Sequence, residues 1–397
     1  MSTQASEIRN VAWDEVVPGL MLFRAVRLAT SAPILLVALL ALLVLPFGWH
    51  AAQFLLLGDD VINQNWFAVP PGAVAPTLSM DLEAGPPALR FPSTWQAWTA
   101  PMLALPNAGL QPVGKLFDLH ASWSDRGFWA VGLLWNVAVW AFFGAIIVRS
   151  AVMAFGRSER VGLVEAAQFA RRRYFAFLGA PLFPLLGLLF IALCSAPVGL
   201  LLRAEWGAWL AALLWIFVLI GALLAAVVFI GLLVGWPLMW GALASEEMGD
   251  VFEATQRSYS YTFGRPLQYG LYVLLAIVIG SVTSVFIQWL AELLVYFAFW
   301  NVSGAAGQEA LDAITNPTGP SFTTNLILGL SQFVLLLPAA FRHAYFWTAA
   351  GVIYLLVRRH SDQIDFDTVF VEDQPVRFAL PPLTMDGAGV PGVEEET

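Results

Sequence analysis

The sequence predicts an all-α integral membrane protein of about six transmembrane helices, with both termini in the cytoplasm. Three observations carry this. Of 397 residues, 59% are hydrophobic and 12% are charged, about half the roughly 25% charge of a soluble domain. So little charge cannot cover a water-facing surface, and hydrocarbon must do the solvating. Six apolar stretches meet the length of about 20 residues needed to cross about 30 Å of hydrocarbon. The cations then fall on alternate connections, which orients the chain.

The six spans are expected near 33–49, 128–148, 177–202, 209–236, 267–288 and 339–357. Pro33 suits the first turn of a helix, where its missing donor is not needed. The first run is too long for a cleavable signal and reads as an uncleaved signal anchor. With the N-terminus inside, 14 of the 19 Lys and Arg residues lie on cytoplasmic segments. Four, Arg90, Lys115, Arg126 and Arg203, lie on the other side, and Arg342 falls within the sixth apolar run. An excess of that size sets N-in and C-in topology.

Five regions follow. Residues 1–32 form a cytoplasmic amphipathic segment and 33–57 the first transmembrane helix. Residues 58–125 form a Pro-rich extracytoplasmic loop, 126–360 a membrane domain with five further spans, and 361–397 an acidic cytoplasmic tail. Proline blocks helix interiors, so the loop is expected to be an irregular cap with short helices at most, docked by Trp95, Trp98 and Trp123. The end of the tail, from Asp386 through Glu396, is expected to be disordered.

An internal repeat with an offset of 88 residues relates 162–168 to 250–256, matching Glu165 and Gln168 with Glu253 and Gln256. Each copy leads through aromatic residues to a Gly and a Pro and then into a hydrophobic helix. At helical spacing, Leu163, Ala167, Ala170 and Tyr174 share one face in the first copy, and Phe252, Thr255, Tyr259 and Thr262 in the second. We read amphipathic elbow helices on the inner leaflet near 158–181 and 249–266, each feeding a span. In the second, Asp250 and Glu253 fit a capping box. Both copies face inward, so the repeat is parallel.

Several stretches resemble an uncharacterised multi-pass membrane protein family of planctomycete-type bacteria. They are Arg160-Val-Gly-Leu-Val-Glu-Ala-Ala, Ala180-Pro-Leu-Phe-Pro-Leu-Leu-Gly187, Val234-Gly-Trp-Pro-Leu-Met-Trp240, Ser258-Tyr-Ser-Tyr-Thr-Phe-Gly-Arg-Pro266 and Tyr345-Phe-Trp-Thr-Ala-Ala, with Val352-Ile-Tyr-Leu-Leu-Val-Arg-Arg359 following. The resemblance spans roughly 125–373. It implies a bacterial inner membrane and no particular activity. A looser similarity links Ala254 and Ser258 to bacterial membrane domains with an Ala-x-x-x-Ser elbow, including some attached to glycerophosphodiesterases. No phosphodiesterase domain accompanies it here, so that activity is not implied.

No residue pattern points to catalysis, a metal, a cofactor or nucleic acid. The arginines are spread among loops, which argues against nucleic-acid binding. His50, His120, His343 and His360 are too far apart for a local zinc pair. Cys194 stands alone, so no intrachain disulfide forms.

Three groups remain as candidates. Charge at membrane depth is costly, and an outer-interface ion pair between Arg342 and Glu292 is set against two separate snorkelling anchors. Arg171, Arg172 and Arg173 suit anionic headgroups, each cation contributing about 1 kcal/mol, and equally suit a topology signal. Gly231 and Gly235 form a GxxxG that permits close helix packing, a pattern apolar segments also produce by accident. Residues 289–300 and 326–337 are expected to be outer interfacial helices or the ends of steeply tilted spans, with a break at Pro338.

The favoured function is a non-enzymatic scaffold, assembly or envelope-organising component, in contact with the bilayer and its anionic lipids. A membrane-protein partner or a second copy completes the expected contacts. The rival is a transporter or lipid-handling permease, which needs broken helices or a cavity reaching Asn136, Ser195 or Gln332.

Overall fold

The computed structural model describes residues 18–56, 94–118, 120–247, 249–315, 321–371, 383–385 and 391–393. Most of the expected Pro-rich loop and of the acidic tail lies outside these residues. Six helices are long and apolar enough to cross a membrane, as the composition requires, because a spanning segment must satisfy its backbone polar groups internally.

The helices in chain order are α1 (Met21–Ala29), α2 (Ala32–Leu56), α3 (Trp95–Leu116), α4 (Trp123–Gly156), α5 (Leu163–Arg172) and α6 (Tyr174–Leu201). They continue as α7 (Glu205–Ser245), α8 (Val251–Gly264), α9 (Pro266–Ala306), α10 (Gln308–Thr315) and α11 (Phe322–Asp362). The six spans are α2, α4, α6, α7, α9 and α11. Two short strands, β1 (Leu383–Met385) and β2 (Pro391–Val393), pair antiparallel within the tail, so part of the stretch expected to be disordered carries a ladder.

The C-terminal half of α11 is the central pillar. Phe341, Tyr345, Val352, Tyr354 and Val357 are fully buried there, packed by α1, α2, α4, α7 and α9. Two hairpins, α6–α7 and α9–α11, run from this packed half. Their far halves expose large apolar side chains such as Phe190, Leu213, Phe217, Leu294 and Leu330. Ala291, Val295 and Phe299 of α9 pack on Leu335 of α11 in a separate small cluster.

Two expectations differ from the structure. Residues 289–300 and 326–337 belong to α9 and α11, each continuous over 41 residues, which agrees with the long-span alternative and not with separate interfacial helices, and the break expected at Pro338 is absent. Pro338 removes one backbone donor, but the cluster around Leu335 holds the helix on either side of it. A 41-residue helix is about 60 Å long, twice the hydrocarbon thickness of about 30 Å, so α7, α9 and α11 tilt steeply or extend past the bilayer.

The loop expected to hold only short helices contains α3, of 22 residues with Pro101, Pro106 and Pro112 inside it. Thr94 caps it by accepting from the Ala97 N–H. Packing then outweighs propensity: α3 lies against α4 and α9, with Met102 and Val113 buried.

Candidate functional site

The polar side chains gather at the end of the bundle where α7 stops. The last carbonyls of a helix have no partner within it. Here the carbonyl of Leu243 accepts from Arg173 Nη1 at 3.0 Å, and that of Ala244 from Arg149 Nη1 at 2.6 Å. The carbonyl of Ser245 accepts from the Phe370 N–H at 2.9 Å. Arg173 also donates to the carbonyls of Glu246 and Glu247, both at 2.8 Å. Two guanidinium groups thus sit at the negative pole of the α7 dipole, where positive charge is favoured. Both stack on the ring of Phe169 in α5, at 4.2 Å for Arg149 and 5.0 Å for Arg173.

Glu246, the residue after α7, is the centre of a second cluster. Its Oε1 accepts from the Tyr354 hydroxyl at 2.9 Å and lies 3.4 Å from Arg358 Nε and 3.6 Å from Arg257 Nη1. Arg257 reaches Glu253 at 2.9 Å and Asp362 at 3.6 Å, and the Tyr261 hydroxyl donates to Asp362. Arg358, only 3% exposed, donates to both the carbonyl and the hydroxyl of Thr368 at 2.6 Å. Burial works against the Arg257 charge, yet Tyr354 and Glu246 beside it hold its pKa above the ordinary arginine value. Burial and the bond to Asp362 push the Tyr261 hydroxyl upward.

A strap is the consequence. Residues 363–371 cross the helix ends, fixed by Arg149 to the Phe370 carbonyl at 2.8 Å, by Arg358 to Thr368, and by Arg173 over the Phe370 ring at 5.2 Å. Beside it lies a cavity of about 120 Å³ lined by Arg149, Glu165, Gln168, Phe169, Arg172 and Val371.

Deeper in the bundle is an aromatic layer. Trp240 stacks on Trp347 at 4.2 Å, Trp140 on His343 at 4.6 Å, and Trp236 meets Trp347 edge-on at 5.3 Å. Proline at 181 leaves the Phe177 carbonyl without its helical donor, and Trp240 Nε1 supplies one at 2.9 Å. A smaller cavity, about 60 Å³, lies among Asn136, Trp140, Pro181, Leu232 and Trp236. Ser195 does not line it and bonds the Ile191 carbonyl of its own helix.

The sequence candidates are distributed as follows. Gly231 and Gly235 face α8: a β-carbon at 235 would approach Ser258 Oγ to 2.5 Å, and one at 231 would overlap the Tyr259 ring. Ser258, Tyr259 and Tyr269 donate to the carbonyls of Gly235, Val228 and Val234, at 2.6, 2.6 and 2.7 Å. The helix packed on the GxxxG is thus α8, which covers the segment expected to be the second elbow. Arg171 and Arg172 are exposed, whereas Arg173 turns inward to the end of α7.

Arg342 and Glu292 are not brought together. No ion pair joins them among the described residues, and Glu292 accepts from Gln288 Nε2 at 2.7 Å. The reason is register. Gly280 meets Tyr345, so the turn holding Arg342 is level with Ser284, about 12 Å along α9 from Glu292.

Asp250 caps α8 by accepting from the Glu253 N–H at 2.6 Å, but the Glu253 carboxylate turns to Arg257, so the box is one-sided. The cluster around Glu246 was not anticipated. Its signals are present as Glu253 with Arg257 and Arg358 with Asp362, both at a spacing of four. Among the described residues no group of His, Cys, Asp and Glu is arranged to hold a metal ion. No family model, curated protein or solved structure matches the chain.

Proposed function

We propose that the chain is a non-enzymatic scaffold or envelope-organising component of a bacterial inner membrane, N-in and C-in. One observation carries the reading. At the basic end Arg149, Arg173, Arg257 and Arg358 are spent on backbone carbonyls and on carboxylates, while the far halves of two hairpins expose broad lateral surfaces of large apolar side chains. That is the distribution of a rigid clamp with broad membrane-facing arms. The transporter reading has less support, because the six long helices are unbroken and the aromatic-layer cavity, about 60 Å³, has room for only a few water molecules.

The arginine asymmetry supports the orientation, and Arg149, Arg173, Arg257 and Arg358 gather at one end of the bundle. In this orientation α5 and α8 are the paired elbows of a parallel repeat at the cytoplasmic surface, and the strap and acidic tail lie on that side. Arg171 and Arg172, exposed on α5, are suited to anionic headgroups of the inner leaflet.

Two measurements test this. Single-cysteine variants at positions 171 and 87 should label from opposite sides of intact membranes, and labelling from one side overturns the topology. Purification in native-lipid particles should recover a stoichiometric protein partner or a second copy. A lone chain holding a solute at its centre favours transport instead.

A further inference from the structure

Arg342 is 9% exposed and makes no ion pair among the described residues. A guanidinium so placed, without a counter-charge, is strongly unfavourable. Around it the structure leaves buried hydroxyls unused. Tyr345, one turn further along α11, is fully buried, and its hydroxyl has no hydrogen-bond partner. Ser281 and Ser284, one turn apart on α9 and at most 1% exposed, are likewise without partners.

Ser361 at the end of α11 is also unpaired, but other hydroxyls in the middle of the same two helices are not. Thr283 donates to the Ile279 carbonyl, Ser331 to that of Ile327 and Thr348 to that of Ala344. Ser281, Ser284 and Tyr345 are therefore unpaired together at one mid-helix level. Gly280 lies against the Tyr345 ring, and the antiparallel register sets the Ser281–Ser284 turn opposite the Arg342–Tyr345 turn. Buried polar groups without partners in a native fold call for a bound water or ion. One cation and three hydroxyl donors together favour an anion.

We propose that this level of α9 and α11 is a binding site for a single oxyanion, the phosphate of an anionic lipid. Arg342 supplies the charge and a two-pronged donor suited to phosphate oxygens. Tyr345, Ser281 and Ser284 supply hydroxyl donors. The lipid source follows from the neighbouring surface: Val282, Phe286 and Leu290, next to the serines on α9, are exposed and offer an apolar bed for an acyl chain. The site does not depend on the scaffold reading.

The test uses the full-length protein in phosphatidylcholine particles. Phosphatidylglycerol is titrated in, with inorganic phosphate as a separate arm, and retention is read by native mass spectrometry alongside the unfolding temperature. Phosphatidylglycerol should be retained and should raise the unfolding temperature. Arg342→Gln should weaken retention about tenfold or more, the scale of one charge-assisted bond, and Tyr345→Phe by a smaller factor. Tyr345→Phe keeps the ring and carries the test if Arg342→Gln does not fold. Equal retention by the wild type and both variants overturns the site. Equal stabilisation by inorganic phosphate alone overturns the lipid source.

Discussion

The Ser258 hydroxyl donates to the Gly235 carbonyl over 2.6 Å, and it reaches that carbonyl because residue 235 has no side chain in the way. Pro237 lies two residues on, so the bond helps to fix the segment of α7 where the helical ladder is interrupted. Gly235→Val should destabilise the protein by about 1–3 kcal/mol, the usual cost of overpacking a tight contact. Ser258→Ala should cost about 1 kcal/mol. Thermal unfolding in native-lipid particles separates them, and an equal small loss from both shows that the contact is slack.

Glu246 is the counter-ion of Arg358, which is only 3% exposed. Removing one member of a buried pair leaves the other uncompensated and costs about 3–5 kcal/mol. Glu246→Ala should approach that loss. Glu246→Gln keeps an acceptor for Tyr354 and should lose less. Hydrogen exchange across 363–371 should rise in the alanine variant, because Arg358 also holds the strap through Thr368. An unchanged strap separates the two clusters and refutes the coupling.

The spans were legible because hydrocarbon imposes one rule on every residue in them, and a run such as 209–236 admits no other reading. Helix ends were less so. Trp123 and Ser122 extend α4 through a capping box with Asp125, outside the apolar window that marks the span. Helix α3 was illegible because three prolines argue against it and only burial against α4 and α9 argues for it. At the basic end the arginines were visible, but their acceptors were mostly backbone carbonyls, which every residue has and no composition reveals. The Arg342–Glu292 pairing failed on register, which depends on where Gly280 meets Tyr345 and not on distance from either helix end.

Burial raises the Tyr259 hydroxyl from its ordinary value near 10 to about 12, and the neutral form donates to the Val228 carbonyl. A folded pKa above the unfolded one means that the stabilisation is complete below pH 10. It is then lost as pH rises from about 10 to about 12. Wild-type stability should therefore fall over this alkaline range. Tyr259→Phe should be less stable at neutral pH and should show a shallower fall. An identical slope in both proteins rules out Tyr259 as a source of the alkaline loss.

Arg171 and Arg173 are two residues apart, yet one is exposed and the other spans three carbonyls at the end of α7. A lysine at 173 offers a single ammonium in place of a planar fork and stacks poorly on Phe169 and Phe370. Arg173→Lys should therefore destabilise nearly as much as Arg173→Gln, on the order of 2 kcal/mol for hydrogen bonds to a charged group. Arg171→Gln should leave the stability within about 0.5 kcal/mol of wild type, as surface changes do, and should reduce retention of anionic lipid instead. Comparing unfolding temperature and lipid retention across the three variants separates helix capping from membrane contact. Full rescue by Arg173→Lys would show that charge alone, rather than the guanidinium geometry, holds the end of α7.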